Sequence, residues 1–259
     1  MHSLAVKLVA ESLEGTGRLG LLLVEVVRSL FTHKPDWRAT VQQMHFVGVK
    51  SQSVVLITGA FTGMVLCAQT FFQFHKVKMD TATMAVVGVS MCSELGPVLT
   101  GLMVAGRVGA AIAAELGTMR VTEQIDALRS LATHPVDYLI TPRMVATVIT
   151  VPLLTAESIT VGIASGYFVG VFLMGIDPAY LWHNMVRYTG AVDLAMGMIK
   201  AVIFGATIGL ISCYKGLHCG TGAEGVGRAT TEAVVYSSIT ILISNFFLTL
   251  ALERLLAGL

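Results

Sequence analysis

Charge is what this sequence has least of. Only 13% of its 259 residues are charged, against about 25% in an ordinary soluble domain. The two signs nearly cancel, to a net charge of +1. With no basic field, and no stretch of interleaved aromatics and arginines, nucleic acid is excluded as a partner. Cysteine is sparse as well. Cys67, Cys92, Cys213 and Cys219 fall in or beside apolar segments, where they read as small buried hydrophobes and imply no disulfide framework. The seven histidines lie at segment edges or in loops, and none makes a metal-binding pair with a carboxylate at helical spacing. His218 beside Cys219 comes nearest, and an adjacent pair of this kind is usually incidental, so no metal site is expected. Ser93 next to Glu94 has no histidine in its own segment to activate it, which argues against a nucleophile and a membrane-embedded lipid-modifying enzyme.

A complete phosphate-binding loop is also missing. In Gly222-Ala-Glu-Gly-Val-Gly227-Arg228-Ala229 the glycine spacing is kept, but arginine stands for the lysine and alanine for the magnesium-binding hydroxyl. The run Gly220 to Gly225 matches a dinucleotide fingerprint by letter, yet follows an apolar segment where that motif requires a strand. Both stretches read as flexible loop. No catalytic residue and no cofactor is assigned to this chain, and nucleotide hydrolysis is not expected of it.

Long apolar runs are what the chain has in place of charge. Residues 51–74 carry no charge at all; 81–106 carry only Glu94, 144–176 only Glu157, 194–214 only Lys200, and 233–252 none. A helix rises about 1.5 Å per residue and the hydrocarbon core is about 30 Å thick, so each run is long enough to span a bilayer. The expected fold is an all-α integral membrane protein with five transmembrane helices, its permease domain covering 51–259. The third run would extend about 50 Å if straight, so it must tilt, bend or protrude. Pro152 can kink it, and Gly162, Gly166 and Gly170 form a smooth stripe for a neighbouring helix. Gly59 with Gly63, Gly205 with Gly209, and Ala105 with Gly109 and Ala113 form similar faces.

Residues 1–50 do not read as a secretory signal, because Lys7, Glu11, Glu14, Arg18, Glu25 and Arg28 interrupt every apolar stretch. Leu19, Leu22, Leu23, Val26, Val27 and Leu30 recur at helical spacing, as expected of an amphipathic helix at the membrane interface; packing on another subunit is the alternative. Basic residues gather in this arm (Lys7, Arg18, Arg28, Lys34, Arg38, Lys50), between the second and third spans (Arg107, Arg120, Arg129, Arg143) and before the fifth (Lys215, Arg228). That bias predicts a cytoplasmic N-terminus and a periplasmic C-terminus.

The segment 107–137 is the most unusual. It reads as two short helices, the first punctuated by Gly117 and the second carrying Val121, Ile125, Leu128 and Ala132 on one face. The runs Glu94-Leu-Gly-Pro-Val, Ala105-Gly-Arg-Val-Gly-Ala-Ala, Ala114-Glu-Leu-Gly-Thr-Met, Thr122-Glu-Gln-Ile-Asp-Ala-Leu and Pro135-Val-Asp-Tyr-Leu-Ile-Thr-Pro-Arg143 resemble the MlaE/YrbE permeases of MCE-linked ABC transporters. The likeness continues through Pro152-Leu-Leu-Thr, Ile199-Lys200 and Gly227-Arg-Ala-Thr-Thr, over nearly the whole chain.

The resemblance implies a bacterial inner-membrane subunit that moves phospholipid to or from a periplasmic MCE ring and maintains outer-membrane lipid asymmetry. It works as a homodimer with a separate ATPase that uses ATP and magnesium, and with a STAS-type accessory subunit as a further partner. The segment from Thr122 becomes the coupling helix, with Arg120, Glu123, Gln124, Ile125 and Leu128 at the ATPase surface.

A charge held at the bilayer centre costs roughly 2.5–3.5 kcal/mol on insertion scales, so Glu94, Glu157 and Lys200 call for explanation. Pro97 lacks an N–H and leaves a carbonyl unpaired close to Glu94, where a polar cavity can form. Lys200 either faces that cavity or snorkels to the interface; the resemblance favours a cavity shaped by Glu94 and Lys200 that admits a lipid headgroup. Leu66, Gln69, Gln73 and Phe74 from the first span, with Leu95 from the second, are candidates for its wall. Gln69 and Asn245 each need a hydrogen-bond partner, from another helix or from the cavity. Glu157 matches nothing in the family pattern and either pairs within the bundle or is carried protonated. A proton-coupled carrier working through Glu94 or Glu157 is the main rival, disfavoured by the odd number of spans and the absence of an internal repeat.

Overall fold

The computed structural model describes residues 17–30, 32 and 36–257, which form helices and short connections with no strand among them. Helix α1 covers residues 17–30. Helices α2 (Trp37–Val47) and α3 (Val49–His75) follow one another through a single residue, Gly48, so the division expected at residue 50 falls inside α3. Asp36 starts α2 by accepting from the backbone N–H groups of Arg38 and Ala39, a side-chain cap on otherwise unpaired donors. Then come α4 (Asp80–Val121), the short α5 (Gln124–Ser130), α6 (Val136–Leu173), α7 (Pro178–Tyr188), α8 (Ala191–Leu217) and α9 (Gly222–Leu256). Five helical runs, with α2 and α3 counted as one, are long and apolar enough to cross a membrane. The chain is a multi-pass membrane protein.

Helix α6 is the centre of the bundle, packed against α2, α3, α4 and α8. Close approach is possible because the seams are lined with small residues, as expected where lipid tails offer no hydrophobic drive to associate. A Cβ added at Gly63 would run into the carbonyl of Gly162, and one at Gly59 would lie 2.8 Å from the Ser158 oxygen. On the other flank, a Cβ at Gly205 would lie 2.6 Å from the Thr147 carbonyl. The glycine stripes read from the sequence are helix-to-helix seams.

Two apolar clusters fill the interior. One, at the Gln124 end, gathers Val104, Ile112, Leu116, Ile125, Ile140 and Ile208. The other, at the Asp80 end, holds Cys67, Met84, Met91, Val169, Leu181 and Met185. Helix α1 joins the first through Leu22 and Val26, and Ser29 shares a 3.0 Å hydrogen bond with Thr141. Leu21, Leu23, Val24 and Val27 stay exposed, so α1 is apolar on both its inner and outer sides, in keeping with a helix between bundle and lipid. The charges expected at Lys7, Glu11, Glu14 and Lys34 lie outside the described residues.

Two expectations are corrected, and one helix is added. Gly117 does not end a helix: α4 runs through it to Val121, and Gly117 is buried where Val226 and Cys219 come within van der Waals reach. The first of the two short helices is therefore an extension of the second span. The glycine-rich run from Gly222 is not loop but the first turns of α9; only Gly222 takes a left-handed φ, +72°, and Gly225 packs directly on Gly220. The third difference is α7, which the sequence reading passed over. Asp177 caps it by accepting from the Ala179 and Tyr180 N–H groups, and Leu181 and Met185 seat it against the start of α4. Tyr180, Trp182 and Tyr188 are exposed, the amphipathic aromatics typical of a membrane interface.

Candidate functional site

Residues Met91–Leu95 of α4 form a π-helical turn, with the Gly96 N–H bonded five residues back to the Met91 carbonyl. Turns of this kind are rare inside helices and recur at functional sites. Pro97 follows, with no N–H for the Ser93 carbonyl four residues before it. Gly197 of α8 lies directly on this stretch, since a Cβ there would strike the Cys92 carbonyl. One turn further along α8, Lys200 enters the opening.

Lys200 is buried to 1% exposure, and its three ammonium protons have three acceptors: Glu94 Oε1 at 2.7 Å, the Ser93 carbonyl at 2.9 Å and Thr249 Oγ1 at 2.8 Å. Snorkelling is thereby ruled out; the side chain points inward to the carbonyl left by Pro97. Asn245 Nδ2 donates to Glu94 Oε2 at 2.9 Å, and the Thr249 hydroxyl lies 2.8 Å from Oε1. Glu94 thus ties α4, α8 and α9 together. Its side chain keeps 35% exposure, and Asn245 Oδ1 is buried without a partner. The arrangement presents a fixed carboxylate and a free amide oxygen, both acceptors, in apolar surroundings.

Thr249 and the Ser93 carbonyl escaped the sequence reading. A signal for Thr249 was present: it follows Asn245 by four residues and shares its helix face. Leu66 and Leu95 each pack, half-buried, against the Asp80-end cluster. Gln69 and Gln73 lie on the exposed side of α3 and Phe74 is half-buried near its end; none of the three joins the Glu94 group.

At the other end of α4 the chain reverses at Glu123, whose φ of +58° is left-handed. Arg120 bonds Asp126 at 3.0 Å and Arg129 bonds it at 3.1 Å, all three exposed. Exposed pairs contribute at most about 1 kcal/mol, so α5 is held chiefly by Ile125, 1% exposed, and by half-buried Leu128 in the Gln124-end cluster. Val121 and Ala132, expected on that inner face, are exposed: Val121 ends α4 before the left-handed turn at Glu123, and Ala132 turns left-handed after the helix stops at Ser130. Glu123 and Gln124 face outward. Beneath them, buried Arg143 bonds Glu115 at 2.8 Å and the Leu139 carbonyl at 2.6 Å, clamping the base of α6 to the α4 extension.

A family model, Permease MlaE, matches residues 40–251, which takes in α3 to α8, most of α9, Glu94, Lys200, Asn245 and the Gln124 segment. This chain belongs to the MlaE permease family. A probable ABC transporter permease protein of Rickettsia conorii is 44% identical, with 91% of each chain covered. The intermembrane phospholipid transport system permease protein MlaE of Haemophilus influenzae is 36% identical over 94% of each. The chloroplastic protein trigalactosyldiacylglycerol 1 of Arabidopsis thaliana is 41% identical over 87% of this chain and 64% of its own. Membership makes the chain a transport component, in line with the role read from its spans.

Proposed function

We propose that this MlaE-family permease is the membrane-spanning subunit of an ABC transporter moving phospholipid between the bacterial inner membrane and a periplasmic MCE protein, in support of outer-membrane lipid asymmetry. The observation that carries this reading is the hydrogen-bonded Glu94–Lys200–Asn245 group within an apolar bundle, its carboxylate on the same helix whose far end leads into α5. A lipid headgroup brings donors that the free Asn245 oxygen and the half-open Glu94 carboxylate accept. The apolar side chains around them suit its acyl chains.

Arg107, Arg120, Arg129, Arg143, Lys215 and Arg228 all belong to the Gln124 end, which supports placing that end in the cytoplasm and the C-terminus in the periplasm. Glu123 and Gln124 then face a separate ATPase, which supplies ATP and magnesium chemistry; the MCE ring sits at the Asp80 end. A second copy of this chain completes the cavity across a two-fold axis, and the exposed apolar face of α9 suits it. A STAS-type subunit is a further partner.

Reconstitution with the ATPase and MCE protein tests the reading through lipid transfer between vesicles. Transfer should need ATP and survive collapse of the proton gradient; dependence on the gradient alone would make the chain a carrier, and a chemically altered lipid would make it an enzyme. Glu123→Lys should leave assembly intact while uncoupling ATP hydrolysis from transfer. Normal coupling in that variant would remove α5 from the ATPase contact.

A further inference from the structure

Glu157 takes no part in the Glu94 group, which is built on other helices. It precedes Ser158, the α6 residue that meets Gly59 of α3. Gln52 Nε2 donates to its Oε1 at 3.4 Å, whereas Oε2 is buried with no hydrogen-bond partner. A buried acceptor is costly to leave unpaired, and the long Gln52 bond is all the carboxylate has to offset it.

In front of Glu157 lies a cleft of 360 Å³ between α2, the start of α3 and α6, with walls of Val41, Met44, Leu153 and Leu154 and with His45 as its other titratable group. Val41 and Leu153 are 58% and 55% exposed, so the cleft opens sideways to lipid. Its depth follows from its neighbours. A helical side chain leans toward the start of its helix, which brings the carboxylate back to Gln52, next to Ser51, which accepts from Arg107 at 2.7 Å. Lys50 and Arg107 also flank the Phe46 ring, 5.2 and 5.9 Å from its centre. Cations gathered in this way mark the headgroup level, within about one helical turn of the carboxylate.

We propose that this cleft binds a phospholipid whose headgroup carries a primary ammonium, of the ethanolamine type. The ammonium pairs with the Glu157 carboxylate, which Gln52 meets only through a long 3.4 Å bond, the phosphate lies on the His45 side, and an acyl chain follows Leu153 and Met44. A choline headgroup has no N–H to give that carboxylate. A glycerol headgroup offers hydroxyls but no positive charge to the carboxylate. The inference holds whether or not the chain moves lipid through the Glu94 group.

The test uses the full-length protein in nanodiscs holding equal amounts of ethanolamine and choline phospholipids with identical acyl chains. A photocrosslinking residue is placed at Leu153, with a control at Phe61 on α3, 61% exposed, and the adducts are identified by mass spectrometry. At position 153 ethanolamine lipid should exceed choline lipid about tenfold, a difference of about 1.4 kcal/mol, with no such bias at 61. Mono- and dimethylated ethanolamine lipids should lose the preference stepwise, a comparison that needs no change to the site. Glu157→Gln, which keeps the shape and the Gln52 contact, should bring the ratio at 153 close to one. A ratio near one in the unaltered protein, a preference that survives Glu157→Gln, or an adduct at 153 to another protein chain in place of lipid would each overturn the proposal.

Discussion

Helices α6 and α9 are both long and apolar, yet they are fixed in the bundle by opposite means. In its most apolar stretch 56% of α6 is buried, against 17% of α9. Helix α6 is held by contact, with Gly162 and Gly166 meeting Gly59 and Gly63, and Thr147 meeting Gly205. Helix α9 is held largely by polar bonds: Asn245 and Thr249 to the Glu94–Lys200 pair, and Glu232 to Lys215 at 2.8 Å. Its outer side bares Ile239, Leu242, Ile243, Phe246, Phe247 and Leu250. Because lipid is as apolar as leucine, area alone gives a helix no reason to leave it. Close backbone approach is one remedy and buried hydrogen bonds are the other.

The sharpest way to break the contrast is at the α6 seam. Gly63→Val sets a side chain against the Gly162 backbone, which cannot swing aside, and should cost about 3 kcal/mol or more, read as loss of folded protein in detergent. Gly162→Ala should be milder, since the nearest obstacle is the flexible end of Met91. Next in size is the ion pair. Lys200→Met leaves the part-exposed Glu94 without its cation and should cost about 2 kcal/mol, solvent screening part of the loss, while Lys200→Met with Glu94→Gln should recover most of it. Thermal unfolding of the two variants checks this; if the double variant is no better than the single, the pair is not what holds α9. If the double variant folds but no longer supports lipid transfer, the group has a role beyond fixing the helix.

Asn245→Leu forfeits a bond to Glu94 but also removes an unpaired amide oxygen, so the loss should be only about 1 kcal/mol. Smallest of all is Phe246→Ala, within about 0.5 kcal/mol for the isolated chain. A larger fall that depends on protein concentration would show that a second copy covers that face.

The spans were legible because bilayer thickness dictates the length of an apolar run, and charge-free stretches mark it without reference to any neighbour. Their ends were less so. Helix α4 outlasts its apolar run by 15 residues, from Gly106 to Val121, because Ile112 and Leu116 go on packing while the residues between them turn polar. Glu94 and Lys200 could each be singled out as expensive in lipid, but their partnership joins positions 106 residues apart. It depends on a helix contact, Gly197 on Cys92, that no local pattern records. Helix α7 was missed because its 11 residues, set between Gly175 and Gly190, read as a connection; the Asp177-Pro178 start was the available clue. The run after Gly220 misled in the other direction, since its glycines serve close packing at the start of α9.

The two π-helical turns of α4, Met91–Leu95 and Ala105–Gly109, each hold one residue more than a regular turn. Each surplus residue swings everything beyond it by about 100° around the axis. The helix is in effect three regular rods joined out of phase, and this lets one continuous piece of chain present Glu94 to Lys200, Arg107 to Ser51 and Leu116 to the interior. Deleting a single residue from the first joint would straighten the thread and rotate the carboxylate off its ammonium, without altering one side chain of the group.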